Sequence, residues 1–403
     1  MNALRKYLDR IKPNFEPGGK LHAFQSVFDG FETFLFTPTT TSTSGVNIHD
    51  SLDSKRVMII VVLALIPCLL FGMYNAGYQH WLAIGATQFP FWQLLTYGFL
   101  ALLPRLIVSY AVGLGIEFMV AQWRKEEIQE GFLVSGILIP LICPIDIPLW
   151  MLAVATAISV VFVKEVFGGT GYNIFNVALV TRAILFFGYP SKMSGDSAFV
   201  PTHSICGLGE GTLVDGFSGA TPLGQVATNI GDTINITDVA GNAISLWDMF
   251  LGLIPGCVGE TSTLCILIGA LILLATGIAS WRIMLSVFIG GFVMASIAHA
   301  LATPTYPVSM LTPFEQLCLG GFAFAAVYMA TDPVTASRTN PGKYIYGFLI
   351  GVIAILIRTY NNGYPEGAML AVLLMNSFAP LIDYTVVQNN IRRRLRRLNA
   401  KAE

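Results

Sequence analysis

The stretch Val57-Met58-Ile59-Ile60-Val61-Val62-Leu63-Ala64-Leu65-Ile66-Pro67-Cys68-Leu69-Leu70-Phe71-Gly72-Met73-Tyr74-Asn75-Ala76 contains no charged residue. A run of that length matches the roughly 20 residues an α-helix needs to cross the hydrocarbon core of a bilayer. Composition extends this reading to the rest of the chain. Of 403 residues, 54% are hydrophobic and only 12% charged, with a mean hydropathy of +0.65. So few charges cannot clothe that much apolar surface in water, and lipid is the expected solvent for most of the chain.

Working outward from Val57, ten apolar runs follow: 57–76, 98–121, 131–145, 147–165, 172–190, 261–280, 283–302, 314–331, 344–360 and 367–387. The third is short and proline-bounded at Pro140 and Pro144, which reads as a broken or re-entrant segment, tolerated only where protein surrounds its backbone. Ahead of the runs lies an arm with Arg5, Lys6, Arg10, Lys12, Lys20, Lys55 and Arg56, and with Leu4, Tyr7, Leu8 and Ile11 at helical spacing. The arm has no apolar core of the kind a cleaved signal peptide carries. An even number of spans puts both termini on one side. That side then holds Arg124, Lys125, Lys164, Arg282, Arg338, Lys343, Arg392, Arg393, Arg394, Arg396, Arg397 and Lys401, and the other only Lys192 and Arg358. By the positive-inside rule both termini are cytoplasmic.

The expected fold is an all-α polytopic membrane protein of about ten transmembrane helices with short broken or re-entrant segments. Its parts are an N-terminal arm (1–56), a first five-helix half (57–190), an outer loop (191–260), a second five-helix half (261–388) and a basic cytoplasmic tail (389–403). Gly171-Tyr172-Asn173 and Gly363-Tyr364-Pro365 precede the fifth and tenth runs, which suggests two inverted repeats of the urea-transporter kind.

The outer loop is far longer than an ordinary helix connection, and loops of that length tend to be functional or disordered. It carries Asp196, Glu210, Asp215, Asp232, Asp238, Asp248 and Glu260, and within it stands Asp215-Gly216-Phe217-Ser218-Gly219-Ala220-Thr221-Pro222. Thr221 reads as an N-cap, with Pro222 at the first position of a short helix through Leu223, Val226 and Ala227. The same geometry suits a phosphoryl group beside the capping hydroxyl. Both readings stand on the residues alone.

Charges within or beside the apolar runs are costly and are functional candidates by default. They are Arg105, Glu117, Arg182, Asp332 and Asp383. Glu117 is too far along its helix from Arg105 to pair with it, so the plain alternative for the carboxylates is pairing with Arg182, Arg338 or the C-terminal arginines. Gly168, Gly169 and Gly171 allow close backbone approach. Asn173 and Asn176 offer amide donors and acceptors, or serve as simple caps. The cysteines (Cys68, Cys143, Cys206, Cys257, Cys265, Cys318) form no CxxC pair, and the histidines (His22, His49, His80, His203, His299) are scattered. No metal site is expected. No basic patch with interleaved aromatics is present, so no nucleic acid is expected, and no Walker or GxGxxG motif occurs.

Asp215 to Thr221 is similar to the acceptor sequence at which a flavin transferase links FMN to threonine through a phosphoester. It stands in a chain that resembles, nearly end to end, the B subunits of the Na+-translocating NADH:quinone oxidoreductases (Na+-NQR). The stretches that carry the resemblance are Phe15-Glu16-Pro17-Gly18-Gly19-Lys20, His49-Asp50-Ser51-Leu52-Asp53-Ser54-Lys55-Arg56, Lys164-Glu165-Val166-Phe167-Gly168-Gly169-Thr170-Gly171, Ile278-Ala279-Ser280-Trp281-Arg282, Met329-Ala330-Thr331-Asp332-Pro333-Val334 and Tyr364-Pro365-Glu366-Gly367.

The resemblance implies covalent FMN on Thr221 at the outer face, with Asp215, Ser218, Gly219 and Ala220 forming the acceptor motif. It implies non-covalent riboflavin toward the cytoplasmic side, with Gly169, Asn173 and Asn176 as candidate contacts. Where the family tends to read Asn-Pro-Ala-Leu, this chain has Asn176-Val177-Ala178-Leu179. Gly113 and Glu117 fall in the family's quinone region, with Leu114 where a second glycine often stands. Glu117, Asp332 and Asp383 are its sodium-path candidates, since carboxylates suit a hard cation. The implied activity is a translocase that passes electrons from FMN to riboflavin and on to ubiquinone or menaquinone, coupled to Na+ transport. The implied setting is the bacterial inner membrane, alongside subunits A, C, D, E and F, with NADH bound by another subunit and a flavin transferase for maturation. Two alternatives stand beside it: the D subunit of an Rnf-type ferredoxin:NAD oxidoreductase, against which the Pro17-Gly18-Gly19-Lys20 arm argues, and a cofactor-free channel or transporter for a small solute.

Overall fold

The computed structural model describes residues 2–402 except 16–17, 20, 22–23, 37–44, 46–53, 125–130, 195–197, 230–233, 362 and 364–365. His22, His49 to Asp53, Lys125, Asp196, Asp232 and Tyr364-Pro365, all used above, lie outside the described residues.

The architecture is helical, and no strand occurs among the described residues. Two arm helices, α1 (Asn2–Ile11) and α2 (Gln25–Leu35), precede α3 (Ser54–Ala83) and α4 (Phe91–Arg124). Next come α5 (Phe132–Ile142), α6 (Leu149–Ser159), which runs into a π-helical turn (Val160–Glu165), and α7 (Val177–Gly188). Between α7 and α11 lie α8 (Pro190–Met193), α9 (Pro222–Thr228) and α10 (Leu246–Leu251). The rest is α11 (Thr263–Ala275), α12 (Trp281–Ala300), α13 (Pro313–Cys318), α14 (Phe322–Phe324) with a second π-helical turn (Ala325–Met329), α15 (Asn340–Tyr360) and α16 (Ala368–Ala402).

All ten apolar runs carry helix, but they divide into two kinds. Five helices are long and apolar enough to cross a membrane: α3, α4, α12, α15 and α16. The others are short or interrupted. Helix α5 stops at Cys143 because Pro144 follows, and it is buried from Gly136 through Ile142. Its broken end therefore faces protein, the condition under which an unpaired backbone is tolerated at membrane depth. The run 314–331, which reads in sequence as one span, is split between α13 and α14 by Gly320 and Gly321, both left-handed at φ +63° and +67°. Helix α7 begins five residues later than its apolar run because Asn176 is its N-cap, and α11 has only 13 residues.

The long helices meet through small residues. A Cβ on Gly290 or Gly351 would overlap backbone atoms of the facing helix in the α12·α15 pair. Such positions let helix backbones approach closely where lipid removes the hydrophobic drive to associate. Side chains facing outward are apolar, as lipid contact requires, and Trp92 and Trp123 stand exposed at opposite ends of α4. One large core joins both halves of the chain, with Leu138, Leu179, Val287, Phe324, Tyr346 and Val372 among its buried members.

Candidate functional site

In the long loop between the two halves, Thr221 caps α9: its hydroxyl accepts the Gly224 N–H at 3.1 Å, and Pro222 opens the helix. The carbonyls around it are also engaged, Gln225 donating its amide to Ala220 O at 3.1 Å and its backbone N–H to Thr221 O at 2.9 Å. The plain capping reading therefore holds in full. Thr221 remains half-exposed. Asp215 is exposed on a turn with Gly216 at φ +77°, Gly219 is buried, and Ser218 and Ala220 are half-buried. Of these residues only Thr221 lines the small neighbouring cleft, shared with Cys257, Glu260, Gly320, Gly321 and Glu366.

Behind that cleft lies a buried ionic cluster that assembles residues far apart in sequence. Arg182 of α7 donates to Glu260 at 2.6 Å, to Glu366, and to the carbonyl of Ile142 at the broken end of α5. Arg358 of α15, wholly buried, donates to the carbonyls of Gln316 in α13 and Gly320 just beyond it, where the second half-helix breaks. Each arginine thus serves carbonyls that a helix end leaves without an intrahelical partner, at the negative end of the helix dipole. Burial pushes the Glu260 carboxyl up to about 7, against the lowering influence of Arg182. In sequence Arg358 reads as an outer-side charge and Glu260 as a loop charge; the structure buries both side chains and gives them partners. The signal was available, since an intramembrane arginine demands a carbonyl or carboxylate partner, but nothing in the sequence says which.

A second, larger cleft of about 840 Å³, counted to its open mouth, lies between the two π-helical turns. Lys164 of the first turn and Tyr328 of the second line it, with Ser135, Asn173, Asn176 and Asp332. Its remaining walls are largely aliphatic, including Val61, Val134, Leu138, Leu273 and Val334. A mostly apolar cleft with a few convergent polar groups is the usual form of a site for a flat organic ligand, and π-helical turns are frequent at functional sites. The structure thus brings Asn173, Asn176 and Asp332 together. Asn176 is also a cap: its Oδ1 accepts the N–H groups of Ala178 and Leu179 at 3.0 and 3.3 Å, and its Nδ2 donates to Asp332 at 3.2 Å. Asn173 donates to the carbonyl of Phe175 at 2.9 Å, leaving its amide oxygen and second N–H able to meet a ligand. Gly169, left-handed at φ +94°, shapes the adjoining turn but does not line the cleft.

The remaining candidates fall in separate places. Gly113 packs directly on the ring of Phe132, where a Cβ would overlap it. Glu117 is buried and ion-paired with Lys164, not with any of the arginines considered from sequence. Asp332 accepts from Asn176, Val334 N and Thr335. Asp383 accepts the backbone N–H groups of Arg338 and Thr339 and the hydroxyls of Ser337 and Thr339, tying down the chain before α15. Lys164 links Glu117 to the cleft that holds Asp332, while Asp383 stands apart from both. Among the described residues no group of His, Cys, Asp or Glu has the arrangement to hold a metal ion.

Long apolar helices and broken half-helices capped by buried arginines define a polytopic helical membrane protein, and a cleft lies between its two π-helical turns. The chain belongs to the NQR2, RnfD, RnfE family, whose model matches residues 41–392. It is 43% identical to the B subunit of the Na(+)-translocating NADH-quinone reductase of Chromohalobacter salexigens, across 98% of this chain and 96% of that protein. It is 42% identical to the proteins of the same name from Ectopseudomonas mendocina and Azotobacter vinelandii, across 98% of this chain and 99% of each.

Proposed function

We propose that this chain is the flavin-bearing B subunit of a Na+-translocating NADH:quinone reductase in the bacterial inner membrane, delivering electrons to quinone with coupled Na+ movement. In this reading the ten helical runs are ten spans in two inverted halves, both termini are cytoplasmic, and subunits A, C, D, E and F complete the complex. The observation that carries it is end-to-end similarity, over 98% of the chain, to relatives named as that subunit.

Thr221 would hold FMN by a phosphoester installed by a flavin transferase, and its half-exposed hydroxyl with small neighbours at 218–220 suits access by a large enzyme. Riboflavin would lie in the cleft between the π-helical turns, with Asn173 and Lys164 as polar contacts and the aliphatic walls against its ring system. The flavins supply one-electron chemistry that side chains lack. The chain's own work is to hold them, exclude water and keep the charges around them paired. Gly113 and Glu117 remain the candidates beside quinone, and Glu117, Asp332 and Asp383 those for the Na+ path.

The test is a denaturing gel of purified protein viewed under ultraviolet light. Wild type is expected to fluoresce and Thr221→Ala to be dark; equal fluorescence would refute the attachment. An Rnf-type role, which the family also covers, is set apart by assaying the purified complex for Na+-dependent quinone reduction by NADH against NAD reduction by ferredoxin. Absence of flavin absorbance would favour a cofactor-free transporter.

A further inference from the structure

Helix α16 does not stop where its apolar run ends at Val387 but continues without interruption to Ala402. The extension has two faces. Val387, Ile391, Leu395 and Leu398, at helical spacing, form an exposed apolar stripe, 43 to 63% accessible. Arg392, Arg393, Arg394, Arg396 and Arg397 occupy the rest of the circumference, all exposed.

Such a segment has little reason to be helical alone. Arg392 with Arg396 and Arg393 with Arg397 are like-charge i,i+4 pairs, which destabilise a helix, and the exposed stripe lacks the packing of an apolar face from which most helical stability in proteins comes. Both defects are removed by a surface that is apolar at its centre and anionic at its rim. Lipid meets only half of that requirement. At about 1.5 Å rise per residue, Leu395 and Leu398 stand roughly 12 and 16 Å beyond Val387 if the helix leaves along its axis, whereas the headgroup layer is only about 5–8 Å deep. Phosphates reach the first arginines, but acyl chains do not reach the last two leucines. The family match also ends at residue 392, so the distal arginines and leucines lie outside the segment common to NQR2, RnfD and RnfE, as fits a contact made within one kind of complex.

We propose that residues 388–402 of α16 form a docking helix for an acidic, groove-bearing surface of another protein subunit of the same complex, the apolar stripe lying in the groove and the arginines meeting carboxylates on its rim. This rests on the reading of the chain as one subunit of a larger assembly.

The test uses the intact complex in native membranes, with Leu395 replaced by photoreactive p-benzoylphenylalanine and Leu374, exposed within the span, replaced likewise as the lipid-labelling control. Irradiation at position 395 is expected to join this chain to another subunit through a peptide rich in Asp and Glu. Arg392→Glu with Arg396→Glu is expected to cut the adduct at least tenfold, and molar salt to weaken it through screening. Adducts with phospholipid alone overturn the proposal, as does a full set of subunits without an adduct. A preparation containing this chain alone overturns both the docking surface and the proposed function.

Discussion

Arg182 and Glu260 meet at 2.6 Å inside the protein, the first on a helix of the N-terminal half and the second just ahead of the first helix of the C-terminal half. Glu366, two residues ahead of α16, takes the other side of the same guanidinium. One side chain therefore ties three separate elements together and also serves the broken end of α5.

Removing that guanidinium leaves the buried Glu260 and the half-buried Glu366 without it, and breaking a buried pair from one side typically costs about 3–5 kcal/mol. Arg182→Met is expected to lower the melting temperature of the detergent-purified protein sharply, and to lower it less when Glu260→Gln and Glu366→Gln are added. Equal destabilisation by the single and triple variants would show that the cluster's charges are not coupled.

Glu260 also makes stability depend on pH. Burial raises its folded pKa to about 7 from an ordinary 4.5, so the folded state binds the proton more tightly than the unfolded. The contribution is then fully present below pH 4.5 and lost as pH rises toward 7. Between those values the melting temperature of Glu260→Gln should fall less with rising pH than that of wild type. Parallel curves would contradict this.

At Thr221 a hydroxyl is needed both for capping and for attachment. Thr221→Ser is expected to keep flavin fluorescence on a denaturing gel. Thr221→Ala is expected to lose it and to destabilise α9 by about 1 kcal/mol, the usual cost of removing an N-cap. A fluorescent alanine variant would move the attachment elsewhere.

Gly113 separates a packing role from a quinone role. Because a Cβ there overlaps the Phe132 ring, Gly113→Ala is expected to destabilise the protein by about 1–3 kcal/mol through overpacking. Phe132→Leu in the same chain should recover much of that loss. If Gly113→Ala leaves the melting temperature unchanged but raises the KM for quinone, the residue faces the ligand instead.

Breaking the Lys164 to Glu117 pair from either side leaves a buried charge. Lys164→Met and Glu117→Gln are each expected to lower stability more than the double variant does. Additive effects in the thermal melts would mean that the two residues act independently.

Local features were legible in the sequence. The capping role of Thr221 follows from a Thr-Pro pair ahead of a helical pattern, the broken α5 from its prolines, and the membrane setting from the length of the apolar runs. The break inside the run 314–331 was not legible, because hydropathy is blind to the two left-handed glycines that divide its helix. The burial of Arg358 was not legible, because its position near the end of a run says nothing of a side chain that turns inward to serve the end of another helix.

What the sequence determined by itself is the solvent, the helical class and the motifs, because burial in lipid demands uninterrupted apolar stretches and caps are read from neighbouring residues. Tertiary structure alone decided the partners. Glu117 meets Lys164, Asn176 meets Asp332, and Arg182 meets Glu260 and Glu366, at separations of 47, 156, 78 and 184 residues. A buried charge specifies that some partner must exist, but only the packing of helices at small-residue contacts brings one particular carboxylate within reach.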